Sequence, residues 1–150
     1  MAKYLQGKYV VKNPKKYVGD LKNVVYRSSW ELKLFVWLDT SDSVKKWNSE
    51  EIVIPYYNPL DKKVHRYFVD ALFEYVDRHG TLKTALIEVK PKAQTKPPIM
   101  KKTVTKRFLR EATEWAKNEA KWNAARAWCA ERGINFVILT EDHLFGKGST

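Results

Sequence analysis

The chain has 150 residues, 44% of them hydrophobic and 13% aromatic, and its formal net charge is +11. This composition is sufficient for the core of one folded domain, excludes a disordered basic tail, and predicts an anionic partner such as a nucleic acid. One cysteine excludes an internal disulfide and a cysteine-rich metal site and fits a reducing cytosol, and no apolar run approaches the ~20 residues of a membrane span or forms a signal core.

Residues 1–27 are rich in lysine and tyrosine, and we interpret them as a basic N-terminal arm. Its lysines can neutralise phosphates, and its tyrosines can stack on bases or pack, although a solvated lead-in is an equally good interpretation. The only acid in this segment is Asp20. The basic residues are Lys3, Lys8, Lys12, Lys15, Lys16, Lys22 and Arg27.

A helix is predicted over residues 28–39, because the side chain of Ser28 or Ser29 can accept the free N–H groups of a first helical turn. Glu31 begins the stripe of this helix that should face inward. The stripe continues with Leu34, Phe35 and Leu38. Glu31 is therefore a candidate functional carboxylate, and the alternative is an acid stabilised by the dipole at the helix N-terminus.

Strands follow this helix. Residues 44–57 indicate a strand or a broken pair of strands, in which Pro55 weakens the pairing. After a turn at residues 58–61, residues 66–90 predict a hairpin whose turn is His79-Gly80.

The predicted hairpin carries two acids and a lysine. Strict alternation places Asp70 in an apolar row with Phe68 and Leu72, and it places Glu88 and Lys90 together on one face of the second strand. Pairing of the two strands should therefore bring the two acids near one another.

Two carboxylates forced together repel each other, and a divalent cation that prefers oxygen ligands relieves the repulsion. Lys90 can then stabilise a hydroxide or a developing phosphate charge. The alternative is that Asp70 and Glu88 are edge-strand acids in solvent and that Lys90 is an ordinary surface lysine.

Residues 90–110 contain eight basic residues and no acid. Prolines in the first half predict a flexible loop that leaves the proposed site directly, where it can contact a phosphate backbone; a solvated loop is the alternative. The candidate DNA-binding residues are Lys92, Lys96, Lys101, Lys102, Lys106, Arg107 and Arg110.

A long helix is predicted over residues 103–132, with a break near Thr113 and an end at Gly133. Its tryptophans are expected in the core. Lys117 and Lys121 lie one turn apart and can project toward a phosphate, although surface lysine is the safer interpretation. A short apolar strand over residues 135–139 and a polar tail over residues 143–150 complete the chain.

The order of these elements predicts an α/β fold over residues 28–142, with a small mixed sheet flanked by helices. With these residues in place, the chain resembles the PD-(D/E)xK nuclease superfamily, and in detail its TnsA-like branch. The resemblance covers about residues 24–142. It is carried by YRSSWELKLFVWLD, VKKWNSEEIVIPYYNP, HRYFVDALFEY, ALIEVKPK and GINFVILTED.

This resemblance implies a restriction-endonuclease-like core of αβββαβ order and a metal-dependent site that cuts DNA. Asp70, Glu88 and the carbonyl of Val89 would hold Mg²⁺ or Mn²⁺, Glu31 would position water or assist a second ion, and Lys90 would stabilise the attacking hydroxide. Val69 departs from the family motif, which usually has proline there, but that proline is a backbone feature and not a metal ligand.

The chain is also similar to small head proteins of T-even bacteriophages that carry this nuclease fold. That similarity implies DNA as the partner and a role at the head vertex after DNA packaging and before tail joining, in the host cytoplasm or the virion. Phage head or portal proteins and a second copy of the chain are further candidate partners, and neither a membrane nor a nucleotide cofactor is expected. Two other functions stay open: a structural or DNA-binding head protein without hydrolysis, and a transposase subunit that cuts only with a partner protein.

Overall fold

The computed structural model describes residues 6–146. Its helices and strands are, in chain order, β1 (Gly7–Lys8), β2 (Val25–Tyr26), α1 (Ser29–Thr40), β3 (Val44–Asn48), β4 (Val53–Asn58), β5 (Lys63–Phe68), β6 (Ala71–Val76), β7 (Leu82–Val89), α2 (Lys106–Arg132), β8 (Asn135–Leu139) and α3 (Glu141–Phe145). Short 3-10 turns occupy Pro14–Lys16, Leu21–Asn23 and Lys92–Thr95. No helix within residues 6–146 is both long and apolar enough to cross a membrane.

The central sheet has four strands in the order β3-β6-β7-β8. β3, β6 and β7 are antiparallel neighbours, whereas β8 runs parallel to β7 and follows it after the long helix α2. Leaving aside the β4–β5 ribbon, the order is α1, three strands, α2 and a last strand. The predicted mixed α/β fold with αβββαβ order is therefore confirmed.

Each face of the sheet buries its own hydrophobic core. Alternation along β7 divides the two cores, because Leu86 faces one and its neighbour Ile87 faces the other. The core on the α1 side contains Leu34, Phe35, Leu38, Val44, Trp47, Ala71 and Ile87. The core on the α2 side contains Ile54, Tyr56, Tyr67, Val69, Leu86, Trp122, Ala125 and Cys129.

The first strand of the predicted hairpin is in fact two strands. β5 pairs with β4 as a separate two-stranded ribbon, and the chain breaks at Val69 and Asp70 before β6 begins in the main sheet. The N–H of Val69 donates to the carbonyl of Ile52, which extends the pairing of the ribbon by one residue, and the Val69 side chain is buried in the α2-side core. The prediction that Phe68, Asp70 and Leu72 share one face is therefore wrong: Phe68 is exposed on the ribbon, while Leu72 packs against the α2-side core.

Most other predicted boundaries agree with the structure, but α2 begins at Lys106 and not at residue 103, because the Thr105 side chain caps it by accepting the Phe108 N–H. Residues 44–57 form a broken pair, β3 in the sheet and β4 in the ribbon. Gly80, with φ of 78°, lies in the predicted turn, and Gly133, with φ of 66°, ends α2. The predicted break at Thr113 is wrong, because α2 is continuous; the Thr113 hydroxyl donates to the carbonyl of Leu109 one turn earlier without interrupting the helix.

The described part of the predicted basic arm packs on the domain. Tyr9, Tyr17 and Val24 are buried in the α1-side core, and the Tyr17 ring meets Trp47 edge-on with the ring centres 4.7 Å apart. These tyrosines fill the core and do not offer free faces for base stacking. Residues 1–5 lie outside the described residues.

The described part of the predicted polar tail is also packed. It overlaps α3, whose Phe145 ring lies 6.0 Å from the ring of Trp30 in an edge-on arrangement. Leu144 packs against the α1-side core. Residues 147–150 lie outside the described part of the chain.

Asp39, a fully buried acid at the end of α1, joins the N-terminal segment to this helix. Its carboxylate accepts hydrogen bonds from the Tyr9 hydroxyl at 2.6 Å and from the backbone N–H groups of Lys12 and Asn13 at 2.7 and 3.0 Å. Its backbone carbonyl accepts from the side chains of Asn13 and Lys16. Burial opposes the charged form of Asp39, but the hydrogen bonds to its carboxylate hold its pKa below the ordinary value.

Candidate active site

Asp70 and Glu88 meet at the end of the central sheet where β6 begins and β7 ends. Ala71 pairs with Ile87, so extending this register by one residue sets Asp70 opposite Glu88. The two carboxyl groups are close enough for the negative charge of Glu88 to raise the pKa of Asp70. The backbone N–H of Val89 donates to Asp70 Oδ2 at 2.7 Å, which fixes the orientation of the first acid.

Both acids are held in low-dielectric surroundings. Glu88 is only 6% exposed, so the alternative interpretation of a solvent-facing edge acid does not describe it. Burial raises the pKa of Asp70 well above its ordinary value, and the negative charges of Glu88 and Glu31 raise it further. Burial also raises the pKa of Glu88, against the opposing effects of Lys90 and of a hydrogen bond from Tyr67.

Lys90 lies beside this pair of acids, as the alternation of β7 predicts. Its Nζ is 3.8 Å from Glu88 Oε2. Its backbone N–H donates to the carbonyl of Leu139 at the end of β8, so the last strand of the sheet fixes the position of Lys90.

Tyr67 is a member of the site that sequence reasoning missed. It comes from the β4–β5 ribbon, and its hydroxyl donates to Glu88 Oε1 at 2.7 Å. Burial and the charge of Glu88 raise the pKa of Tyr67, so this residue remains a proton donor. The only signal in the sequence is its position three residues before Asp70 on an alternating segment, which does not reveal its partner.

Glu31 lies in the first turn of α1, where the Ser28 hydroxyl accepts its N–H at 3.1 Å as the predicted helix cap. Burial raises the pKa of Glu31, the Arg27 N–H opposes this by donating to its carboxylate, and the charges of Glu50 and Glu88 raise it further. Within residues 6–146, no three His, Cys, Asp or Glu side chains converge closely enough to form a metal-binding group. Glu31 is thus an electrostatic neighbour of a carboxylate pair and does not complete a triad.

The pair of acids fits a hard divalent cation. The Tyr67 hydroxyl donates a hydrogen bond to one oxygen of Glu88, and the Val89 N–H donates to one oxygen of Asp70. Each carboxylate is therefore oriented through one of its two oxygens. Burial and then the negative charge of Glu88 raise the pKa of Asp70, and a cation between the two acids would offset both effects. Carboxylate and carbonyl oxygens are the ligands that Mg²⁺ prefers, so the donor set suits Mg²⁺ or Mn²⁺.

Comparison with known proteins assigns the family. A family model described as "TnsA-like endonuclease N terminal" matches residues 41–141 of this chain. The chain belongs to the TnsA-like endonuclease family. The match contains Asp70, Glu88 and Lys90, whereas Glu31 lies before it.

A second comparison covers nearly the whole chain. The protein named "Head completion nuclease" from Enterobacteria phage T4 is 43% identical to this TnsA-like chain over 146 residues, which is 95% of each sequence. This similarity covers more of the chain than the family model does, and it therefore includes most of the N-terminal segment and α1.

The basic loop of this TnsA-like domain follows the site directly. All seven candidate DNA-binding residues are exposed. Lys92 is the most constrained of them, because its Nζ pairs with Asp142 at 3.1 Å and its N–H donates to Glu141. A cleft of about 640 Å³ lies between the loop and the start of α2, and its lining includes Lys96, Lys101 and Arg107.

Proposed function

We propose that the protein is a metal-dependent DNA endonuclease. The observation that carries this proposal is the pair of Asp70 and Glu88 at the end of the sheet, with the Lys90 ammonium 3.8 Å from Glu88. Membership of the TnsA-like endonuclease family and similarity to a protein named as a nuclease support it. The net charge of +11 and the exposed basic loop support DNA as the substrate.

In this proposal Asp70, Glu88 and the carbonyl of Val89 hold Mg²⁺ or Mn²⁺, which when bound supplies a Lewis acid and a more acidic water. Tyr67 keeps Glu88 in the orientation that holding the ion requires. Lys90 stabilises the attacking hydroxide and the negative charge that grows on the phosphate.

Glu31 has a separate part in the proposed mechanism. It positions water at the edge of the site or assists a second ion. Burial is the first cause that raises the pKa of Glu31 above the ordinary carboxyl value, and this makes Glu31 a stronger base than an exposed carboxylate. The product is a hydrolysed phosphodiester.

The test is incubation of the purified protein with supercoiled and linear DNA in the presence of Mg²⁺, Mn²⁺ or EDTA. The proposal expects cutting with at least one of the two metals and no cutting in EDTA. Binding of DNA without cutting under every condition would favour a non-catalytic DNA-binding head protein, the second candidate that the exposed basic loop supports. Cutting that appears only when a partner protein is added would favour the transposase-like alternative.

The proposed biological role is trimming or sealing of packaged DNA at the head vertex of a bacteriophage before the tail joins. It rests on the similarity to the head completion nuclease. Phage head or portal proteins, and a second copy of this chain, are the proposed protein partners. The proposed location is the host cytoplasm or the virion.

We predict that the basic loop binds DNA mainly by neutralising phosphates, without sequence preference. If about five side chains contact phosphates, the logarithm of the affinity should fall with the logarithm of the salt concentration with a slope of roughly −4 to −5 on duplex DNA. Replacing four exposed residues of the loop and of the first turn of α2 by alanine should flatten this slope by up to about 4 units. The four are Lys101, Lys102, Lys106 and Arg107.

A variant with the same loss of charge elsewhere is the control. Lys45, Lys46, Lys63 and Lys83 are exposed and lie outside the loop. Replacing these four by alanine should change the slope much less. Equal slopes for the two variants, or a strong preference of the wild type for one base sequence, would contradict a backbone contact by the loop.

A further inference from the structure

Lys121 lies in the middle of α2, and its side chain packs against Tyr67 of the candidate active site. Its side chain is half-buried against the β4–β5 ribbon. Its Nζ lies 5.4 Å from the ring centre of Tyr67 and 5.8 Å from that of Tyr56, so both aromatic rings hold the ammonium group. Tyr67 is also the residue that donates to Glu88, and one ring therefore links this cation to the carboxylate pair.

The ammonium group of Lys121 is not balanced by a carboxylate in direct contact. None of the salt bridges within residues 6–146 includes Lys121, although its charge interacts with that of Glu88. Burial lowers the pKa of Lys121, and the positive charges of Lys117 and Lys90 lower it further, against smaller opposing effects of Glu88 and Glu114. A half-buried cation that repels its neighbours is costly to the fold, and an anion bound between these lysines would offset the cost.

We propose that Lys121 binds the phosphate that is cut, as a second cation beside Lys90, with Tyr56 and Tyr67 holding its ammonium group in position. During hydrolysis a water oxygen bonds to phosphorus, the bond from phosphorus to the sugar oxygen breaks, and a proton from water passes to the departing oxygen. The non-bridging oxygens carry increased negative charge in between, and Lys121 stabilises that charge. This inference rests on the proposed endonuclease function.

The first test compares rates of cutting in a single turnover with saturating protein and Mg²⁺. Lys121→Met removes the charge but keeps a side chain that packs on both rings, and removing one preorganised charge of this kind costs about 100-fold in rate. Lys121→Arg should recover part of the loss because it restores the cation. The control is Lys83→Met, which loses the same charge at the opposite end of β7, where Lys83 pairs with Asp77, and it should cut within about twofold of wild type.

The second test does not depend on cutting and measures DNA binding against salt without metal. Lys121→Met should flatten the log-log slope by about 0.9 relative to Lys83→Met, because one phosphate contact is lost. Thermal unfolding separates this from a structural role, since a structural lysine would lower the midpoint and leave the slope unchanged.

Two results would overturn the inference. One is a Lys121→Met slope equal to that of Lys83→Met. The other is equal cutting rates for these two variants while wild type cuts. If wild type fails to cut with any metal, the endonuclease proposal fails instead, and the salt slopes alone then decide whether Lys121 contacts phosphate.

Discussion

Asp70→Asn is expected to lower the rate of metal-dependent DNA cutting by at least about 1000-fold. The substitution keeps the size of the side chain and its acceptor for the Val89 N–H, but it removes a charge that the proposed ion requires. Glu88→Ala and Lys90→Ala are expected to abolish cutting as well. Rates should be measured in a single turnover with Mg²⁺ and with Mn²⁺.

The same substitution should raise the thermal midpoint of the metal-free protein, because Asp70 and Glu88 no longer repel each other. The folded-state pKa of Asp70 is raised, so its contribution to the free energy of unfolding is greatest at low pH. That contribution is lost as the pH rises through the folded-state value. The gain from Asp70→Asn should therefore be larger at pH 8 than at pH 4.

Glu74→Gln is the matched control, because Glu74 lies on the same strand, β6, away from the site. It should leave both the rate and the midpoint near those of wild type. Wild-type cutting by a folded Asp70→Asn protein would remove Asp70 from the catalytic site.

Asp39→Ala should have the largest effect on stability, a loss of about 3–5 kcal/mol in the free energy of unfolding. The substitution leaves the buried Tyr9 hydroxyl and the partly buried N–H groups of Lys12 and Asn13 without their acceptor. Denaturant unfolding at pH 7 measures the loss. Asp42→Ala is the control, since Asp42 is exposed three residues further along, and it should cost no more than about 0.5 kcal/mol.

The effect of Asp39 should also depend on pH. Its folded-state pKa lies below the ordinary value, so its contribution is fully present above the ordinary carboxyl pKa and disappears as the pH falls through the folded-state value. The difference between wild type and Asp39→Ala should therefore narrow in acid. If the difference in the free energy of unfolding stayed constant between neutral and strongly acidic pH, the charge of Asp39 would contribute nothing to holding the N-terminal segment on α1.

Local signals in the sequence were enough for most of the secondary structure. Ser28 accepts the N–H of Glu31 at the start of α1, and Gly133 ends α2 in a left-handed conformation. No local signal in the sequence marks the interruption between β5 and β6 at Val69 and Asp70, because buried and more exposed residues continue to alternate through this region. The turn of the chain instead moves successive buried residues, Val69 and Ala71, to opposite faces of the sheet.

The same limit applies to the site. The alternation of side chains on β7 was sufficient to predict that Glu88 and Lys90 lie on one face. The pairing of β6 with β7 was sufficient to predict that Asp70 lies close to Glu88. The role of Tyr67 could not be predicted, because it depends on how the ribbon packs on α2 and not on the sequence neighbours of Tyr67. Lys121 was named from its helical spacing as a lysine that can project toward a phosphate, but its contacts with Tyr56 and Tyr67 could not be predicted for the same reason. Asp39 was missed for a similar reason, since the partners of its side chain lie 26 to 30 residues away.

The parallel pairing of β7 and β8 has a consequence for the order in which the protein folds. Parallel strands cannot be joined by a tight turn, and here the connection contains all of α2. Closing so long a connection costs chain entropy before any contact compensates for it, so this pairing forms slowly relative to the β6–β7 hairpin. The N–H of Lys90 reaches its acceptor on Leu139 only when that step is complete. During synthesis on a ribosome, the acids of the site can therefore meet early in the hairpin, but the lysine beside them is fixed only after the last strand has emerged.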